Sequence, residues 1–210
     1  GGRLDRPLDH GAHVMTCSTY KSFGGPPGGL VLTNDPAIAK AVARTAYPRM
    51  TANYDATRLA ALAVAEAEVL TYWDRYAAAC LSNASRLAAA LAEQGFDVAG
   101  EENGFTRTHH VAVDARPLGD GRTAAFRLEP ARILLSEIAL PWDRPGDPAS
   151  GMRIGTQEVT RWGLGPEEMD RIAAWMRRVL LDDEDPERVG REVRELRRSF
   201  DRVGYCFDTR

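Results

Sequence analysis

Apolar residues are arranged differently in successive parts of the chain, and the arrangement predicts its elements. "AHVMTC" (12–17) and "GLVLTN" (29–34) are short apolar runs parted by turn residues, and both predict buried strands. In "NDPAIAKAVARTA" (34–46) Asn34 or Asp35 can cap a helix whose first turn accepts Pro36. An alanine-rich stretch from about residue 55 to 94 has uniformly high helix propensity and stops at Gly95, as a helix C-terminus does. Within it, "TYWDRY" (71–76) marks a bend or a change of packing partner. "FDVAG" (96–100) and "RTHHVAVDA" (107–115) predict strands, "RTAAFRLEPA" (122–131) a helix, and "RILLS" (132–136) and "MRIGT" (152–156) strands again. Two helices close the chain, 165–181 and 185–200. Each opens with proline and acids and ends with arginines, which suits the helix dipole. Strands and helices mix throughout, so the class is α/β or α+β. An internal boundary is expected near residue 72, giving domains 1–72 and 73–210.

Composition narrows the function. A chain of 210 residues can bury a core as one domain or two small ones. A net charge of −3 gives no reason to expect nucleic acid or an anionic membrane as partner. No apolar run is long enough to cross a bilayer, and no signal-peptide pattern opens the chain, so a cytoplasmic location is expected. Cys17, Cys80 and Cys206 are odd in number and widely spaced, which suits a reducing compartment. No metal site is expected, because the cysteines form no zinc-like pair and His109-His110 has no partner at ligand spacing.

The chemistry centres on a lysine. Only Lys21 and Lys40 accompany 25 arginines, and Lys21 falls inside "STYKSFGGPPGG" (18–29). A lysine ending a buried strand before a glycine-rich turn is well placed for Schiff-base formation, since desolvation frees the neutral amine. Ser18, Thr19 and Ser22 offer hydroxyls to a phosphate or ring oxygen, and the glycines allow close backbone approach. The same spacing also fits a surface lysine before an ordinary turn.

"HVMTCSTYKSFGGPPGGLVLTN" resembles the cofactor-lysine segment of the serine hydroxymethyltransferases, fold-type I pyridoxal-phosphate enzymes. Lys21 falls on the Schiff-base lysine and Thr19 on the last of the family's threonines, while Tyr20 replaces a histidine. "SGMRIGTQEVTRWGLGPEEMDRIAAWM" is similar to the family's Ser-Gly-Ile-Arg-Ile-Gly-Thr segment and closing helix. "THHVAVD" resembles its Asn-His-Leu…Val-Asp strand, with His109 as a structural histidine. The resemblance implies an α/β fold comprising the end of a large cofactor-binding domain and a small α+β domain. It also implies pyridoxal 5'-phosphate as cofactor, an amino-acid substrate held by Arg153 through its α-carboxylate, and a homodimer with shared active sites.

Three departures shape the expectation. The aspartate that pairs with the pyridine nitrogen and the ring-stacking histidine lie upstream in relatives, so the chain is expected to be the C-terminal half of a larger enzyme, or a subunit completed by another chain. The family's paired glycines, which reach the neighbouring subunit's phosphate, become Ala52 and Asn53, the latter with a side-chain donor. The folate-binding stretch gives way to "LLSEIALPWDRPGDPASG" (134–151), its asparagines falling near Ser136 and Ile138, which speaks against tetrahydrofolate. Trp142 in that stretch is expected to pack the loop, the alternative being that it covers the site. The expected activity is making or breaking the Cα–Cβ bond of a β-hydroxy or α-methyl amino acid, with Lys21, Thr19 and Tyr20 in catalytic positions. Alternatives are a folate-independent aldolase or transaldolase of threonine type, an aminotransferase, and a non-catalytic half that acts only with a partner.

Overall fold

The computed structural model describes residues 2–207. The chain divides into two compact units, one reaching Ala77 and taking up the stretch from Tyr205, the other spanning Ala78–Gly204.

In the first unit, strands β1 (Met15–Ser18) and β2 (Gly29–Leu32) form an antiparallel ribbon in which Met15 faces Leu32 and Ser18 faces Gly29. Helix α1 (Pro36–Arg44) starts where Asp35 accepts hydrogen bonds from the amides of Ala37 and Ile38, with Pro36 in the first turn. A segment kinked at Tyr47, whose backbone is extended, runs over Thr45–Met50 to an exposed bend and then to α2 (Ala56–Glu93). The C-terminal stretch returns to α2: the Phe207 amide donates to Glu68 at 3.0 Å, and Tyr205 lies against Tyr76. Both strands are more open than their apolar sequence suggests, with Val31 and Leu32 exposed. Each strand of a two-stranded ribbon has one neighbour, and among the described residues of this unit no further strand joins it.

Helix α2 runs unbroken for 38 residues, so no break occurs at Thr71–Tyr76. That segment instead marks where burial rises. The turns before it are largely exposed, whereas Asn83, Ala84, Leu87, Ala88 and Leu91 are buried in the second unit.

The second unit is a three-stranded antiparallel sheet, order β3-β5-β4, built from β3 (His110–Asp114), β4 (Ser136–Ile138) and β5 (Gly151–Gly155). "FDVAG" contributes a single bridge, Val98 to Val113. The strand expected at 132–136 begins only at Ser136, where pairing with Arg153 starts. Helix α3 (Gly121–Leu128) is capped by Asp120, α4 (Gln157–Arg161) is a short helix that follows β5, and α5 (Pro166–Leu180) and α6 (Pro186–Arg198) close the chain. The two-residue alternation of β3 and β5 turns Val111, Val113, Met152 and Ile154 into the core, where Leu128, Met169 and Met176 meet them. Each large apolar side chain fully buried there contributes about 1.5–3 kcal/mol.

A buried polar chain fastens α2 to the segment leaving β5. The Asn83 side-chain amide donates to Thr160 Oγ1 at 2.8 Å and to the Leu164 carbonyl at 2.9 Å. Thr160 Oγ1 donates to the Thr156 carbonyl at 2.6 Å, and Thr156 Oγ1 to the Cys80 carbonyl at 2.9 Å. Every buried polar group named here has a partner, which makes the joint specific as well as stable.

Candidate functional site

The lysine loop is built by its own backbone. Thr19, 3% exposed, closes it: the Thr19 amide donates to the Gly28 carbonyl at 3.1 Å, and the Gly25 amide donates to the Thr19 carbonyl at 2.8 Å. The Thr19 hydroxyl donates to the Pro26 carbonyl at 2.6 Å. That hydroxyl therefore pins the loop, and its proton is already engaged. Within this ring the Gly24 amide donates to the Lys21 carbonyl at 2.9 Å, forming the turn that carries the lysine. The backbone also approaches closely here: a Cβ at Gly28 would sit 3.3 Å from Thr19 Oγ1, and one at Gly29 would sit 3.1 Å from the Cys17 carbonyl oxygen, so either neighbour would have to give way slightly.

The first half of α2 braces this loop. A Cβ on Gly25 would touch Leu62 at 3.5 Å, one on Gly28 would touch Arg58 at 3.7 Å, and the Phe23 ring meets Trp73 edge-on at 5.5 Å. Ser18, Thr19, Tyr20 and Lys21 are thus held on one short, shaped stretch. Lys21 itself is exposed rather than desolvated at the end of a buried strand, because the ribbon beneath it is open. Its Nζ lies 6.0 Å from the centroid of the Tyr20 ring, which is 55% exposed. No carboxylate pairs with Lys21 among the described residues. Ala52 and Asn53 occupy a separate exposed bend before α2 and make no hydrogen bond to the lysine loop.

Arg153 belongs to the other unit. It lies on the exposed face of β5, opposite Ala112 on β3 and Ser136 on β4. Its Nε donates to Ser136 Oγ at 3.1 Å. Both Nη groups lack a partner among the described residues. Other arginines of this unit are paired with acids: Arg116 with Asp114, Arg86 with Glu93 and Asp170, Arg178 with Glu184 and Glu192. His109 and His110 lie against each other with ring centroids 4.0 Å apart and planes tilted by 56°. Burial holds both imidazoles below their ordinary pKa; His110 adds to the effect on His109, and Arg153 adds to that on His110. Arg116, held by Asp114, lies 5.3 Å from the ring centroid of Trp142, which is itself 48% exposed on the loop that precedes β5. Asp143 closes that loop by accepting from the amides of Leu140 and Ser150, each at 2.9 Å.

Sequence reasoning missed three features: the hydroxyl pin of Thr19, the seat of Arg153 on Ser136, and the Asn83 joint. The last had a legible signal, a lone asparagine in an alanine-rich helix, whereas the first two depend on pairing across the chain.

The sequence model of the serine hydroxymethyltransferase family matches residues 1–176. The serine hydroxymethyltransferase of Aeropyrum pernix is 44% identical over 99% of this chain and 48% of its own length. That of Korarchaeum cryptofilum is 42% identical over 99% of this chain and 49% of its own. The chain thus spans about half the length of the curated relatives it matches. Among solved structures, L-threonine transaldolase from Pseudomonas fluorescens in its internal aldimine state is 29% identical. It matches with a TM-score of 0.86, over 99% of this chain and 48% of that one.

Proposed function

Because this chain belongs to the serine hydroxymethyltransferase family, we propose that it supplies the lysine-bearing and carboxylate-binding parts of a pyridoxal 5'-phosphate enzyme that makes or breaks the Cα–Cβ bond of a β-hydroxy amino acid. The single observation that carries the reading is the state of Lys21: a primary amine without an acidic partner among the described residues, on a loop whose backbone is already fixed. No acidic side chain among the described residues competes for this amine, and hydroxyls stand beside it on the same loop, so the residues present fit the cofactor. Pyridoxal 5'-phosphate, when bound, supplies the electron sink that stabilises negative charge at Cα.

The remaining roles fall to this chain's own groups. Lys21 holds the cofactor covalently, and Thr19 keeps the lysine turn in shape. The Tyr20 phenol, next to Lys21 in the chain, is assigned to hold or pass a proton, or to bond the phosphate. Ser18, half-buried at the end of β1, stands next in line as a phosphate donor. Arg153 receives the α-carboxylate on its two free Nη groups, a bidentate contact that lysine cannot copy. Ala52 and Asn53, exposed before α2, are assigned to the phosphate of a second subunit's cofactor, in a cytoplasmic homodimer with shared sites. No described helix is long and apolar enough to cross a membrane. Residues 1–72 are read as the end of the large domain and 73–210 as the small domain.

A second reading, transaldolase or aldolase action without folate, is favoured by two observations. The solved transaldolase matches nearly the whole chain, and the stretch that falls on the family's folate segment is a loop closed on Asp143, with Trp142 against Arg116. Tetrahydrofolate therefore stands as the less favoured acceptor.

Borohydride reduction of the complete protein in the presence of pyridoxal 5'-phosphate, followed by digestion, tests the proposal. The phosphopyridoxyl mass is expected on the peptide containing Lys21 and absent from Lys21→Ala. Labelling of the Lys40 peptide alone, or of none, overturns it.

A further inference from the structure

The seat of Arg153 says how its ligand is chosen. A guanidinium can present a carboxylate with its Nε–Nη edge or with its end-on Nη pair. Here Nε is occupied by the Ser136 hydroxyl at 3.1 Å, directly across the β4–β5 ladder, so only the end-on pair remains. Ser136 is half-buried on a strand and is a short side chain with few rotamers, so it restrains the arginine more than a long partner would. It is also neutral. Arg116, Arg86 and Arg178 are each matched by carboxylates, whereas the Ser136 contact fixes Arg153 without cancelling its charge. From β3, His110 is the titratable neighbour, and it carries no competing negative charge.

We infer that Ser136 is a positioning residue that locks Arg153 end-on for a single α-carboxylate, and so sets amino-acid affinity without taking part in bond making. This rests on the reading of Arg153 as the carboxylate-binding group. A lost hydrogen bond to a charged group at this position corresponds to roughly a tenfold change in affinity.

The test uses the complete holoenzyme loaded with pyridoxal 5'-phosphate, titrated with glycine and with L-serine while the absorbance of the bound cofactor is followed. Ethanolamine, which carries the amine and hydroxyl of serine but no carboxylate, serves as the control. Ser136→Ala is expected to weaken glycine and L-serine about tenfold, to leave kcat within about twofold, and to leave ethanolamine unchanged. Ser136→Thr, which keeps the hydroxyl, is expected to recover most of the affinity. Unchanged glycine binding by Ser136→Ala overturns the inference, as does equal weakening of glycine and ethanolamine or a failure of Ser136→Thr to recover. A wild-type holoenzyme that takes up cofactor yet responds to neither amino acid overturns the carboxylate reading, and this inference with it.

Discussion

Replacing Asn83 by alanine opens the joint between α2 and the segment after β5, and the cost can be worked out bond by bond. Asn83 is 2% exposed, and its amide makes two buried hydrogen bonds. Thr160 loses an incoming bond but keeps its own donation to the Thr156 carbonyl, so its hydroxyl is not orphaned. The Leu164 carbonyl fares worse, because the Asn83 amide is its side-chain donor. Leaving one acceptor buried and unpaired costs about 1–3 kcal/mol, and the lost packing of the amide adds about 1 kcal/mol. The sum is about 2–4 kcal/mol. For a unit of this size about 4 °C accompanies each kcal/mol, so Tm is expected to fall by about 8–15 °C. Urea unfolding followed by tryptophan fluorescence measures it, since Trp142, Trp162 and Trp175 all lie in this unit. Asn83→Leu refills the space but leaves the carbonyl unpaired, so it should restore only the smaller part. A loss below about 0.5 kcal/mol for Asn83→Ala, or full recovery with leucine, would refute the hydrogen-bond account.

Two further perturbations follow from the second unit. Arg178, seconded by the Trp175 indole, pulls the Glu192 carboxyl down from its ordinary 4.5 to about 2. A depressed carboxylate adds stability above its unfolded pKa and loses it as pH falls through the folded one. Stability should therefore decline between about pH 4.5 and 2, and Glu192→Gln should flatten part of that limb in urea midpoints measured across the range. Gly121 and Gly151 admit no Cβ for different reasons. At Gly121 it would lie 2.0 Å from the Gly151 carbonyl oxygen, and at Gly151 it would lie 2.7 Å from Leu140 Cγ. Side chains yield more readily than backbone, so Gly121→Ala should cost more than Gly151→Ala. The expected values are about 3 kcal/mol or more against about 1–3 kcal/mol, and denaturant unfolding that returns the reverse order contradicts the packing described.

The sequence carried the elements well where local chemistry decides them. Asp35-Pro36 and Pro186 mark helix starts that short-range bonding alone explains, and Gly95 marks the end of α2. It carried less where a distant partner decides. β1 and β2 read as buried because their residues are apolar, yet exposure depends on which layers the fold stacks on them. The strand beginning at Ser136 was misplaced upstream because Ile133 to Leu135 are apolar, while pairing with Arg153 sets the true start. Lys21 and Arg153 were identifiable as residues, since each sits in a recognisable local frame. Their surroundings were not, because the Thr19 bond spans seven positions and the Ser136 contact spans seventeen.

The hydroxyl clasp at Thr19 has a kinetic meaning. A glycine- and proline-rich hairpin tip would ordinarily sample many shapes, and an incoming molecule would have to wait for a suitable one or bear the entropy of freezing it. Here four internal bonds hold the tip in one geometry beforehand. Association at Lys21 should accordingly be limited by diffusion and covalent chemistry, with little delay from rearrangement of the tip. Opening the clasp would slow arrival more than it would hasten departure.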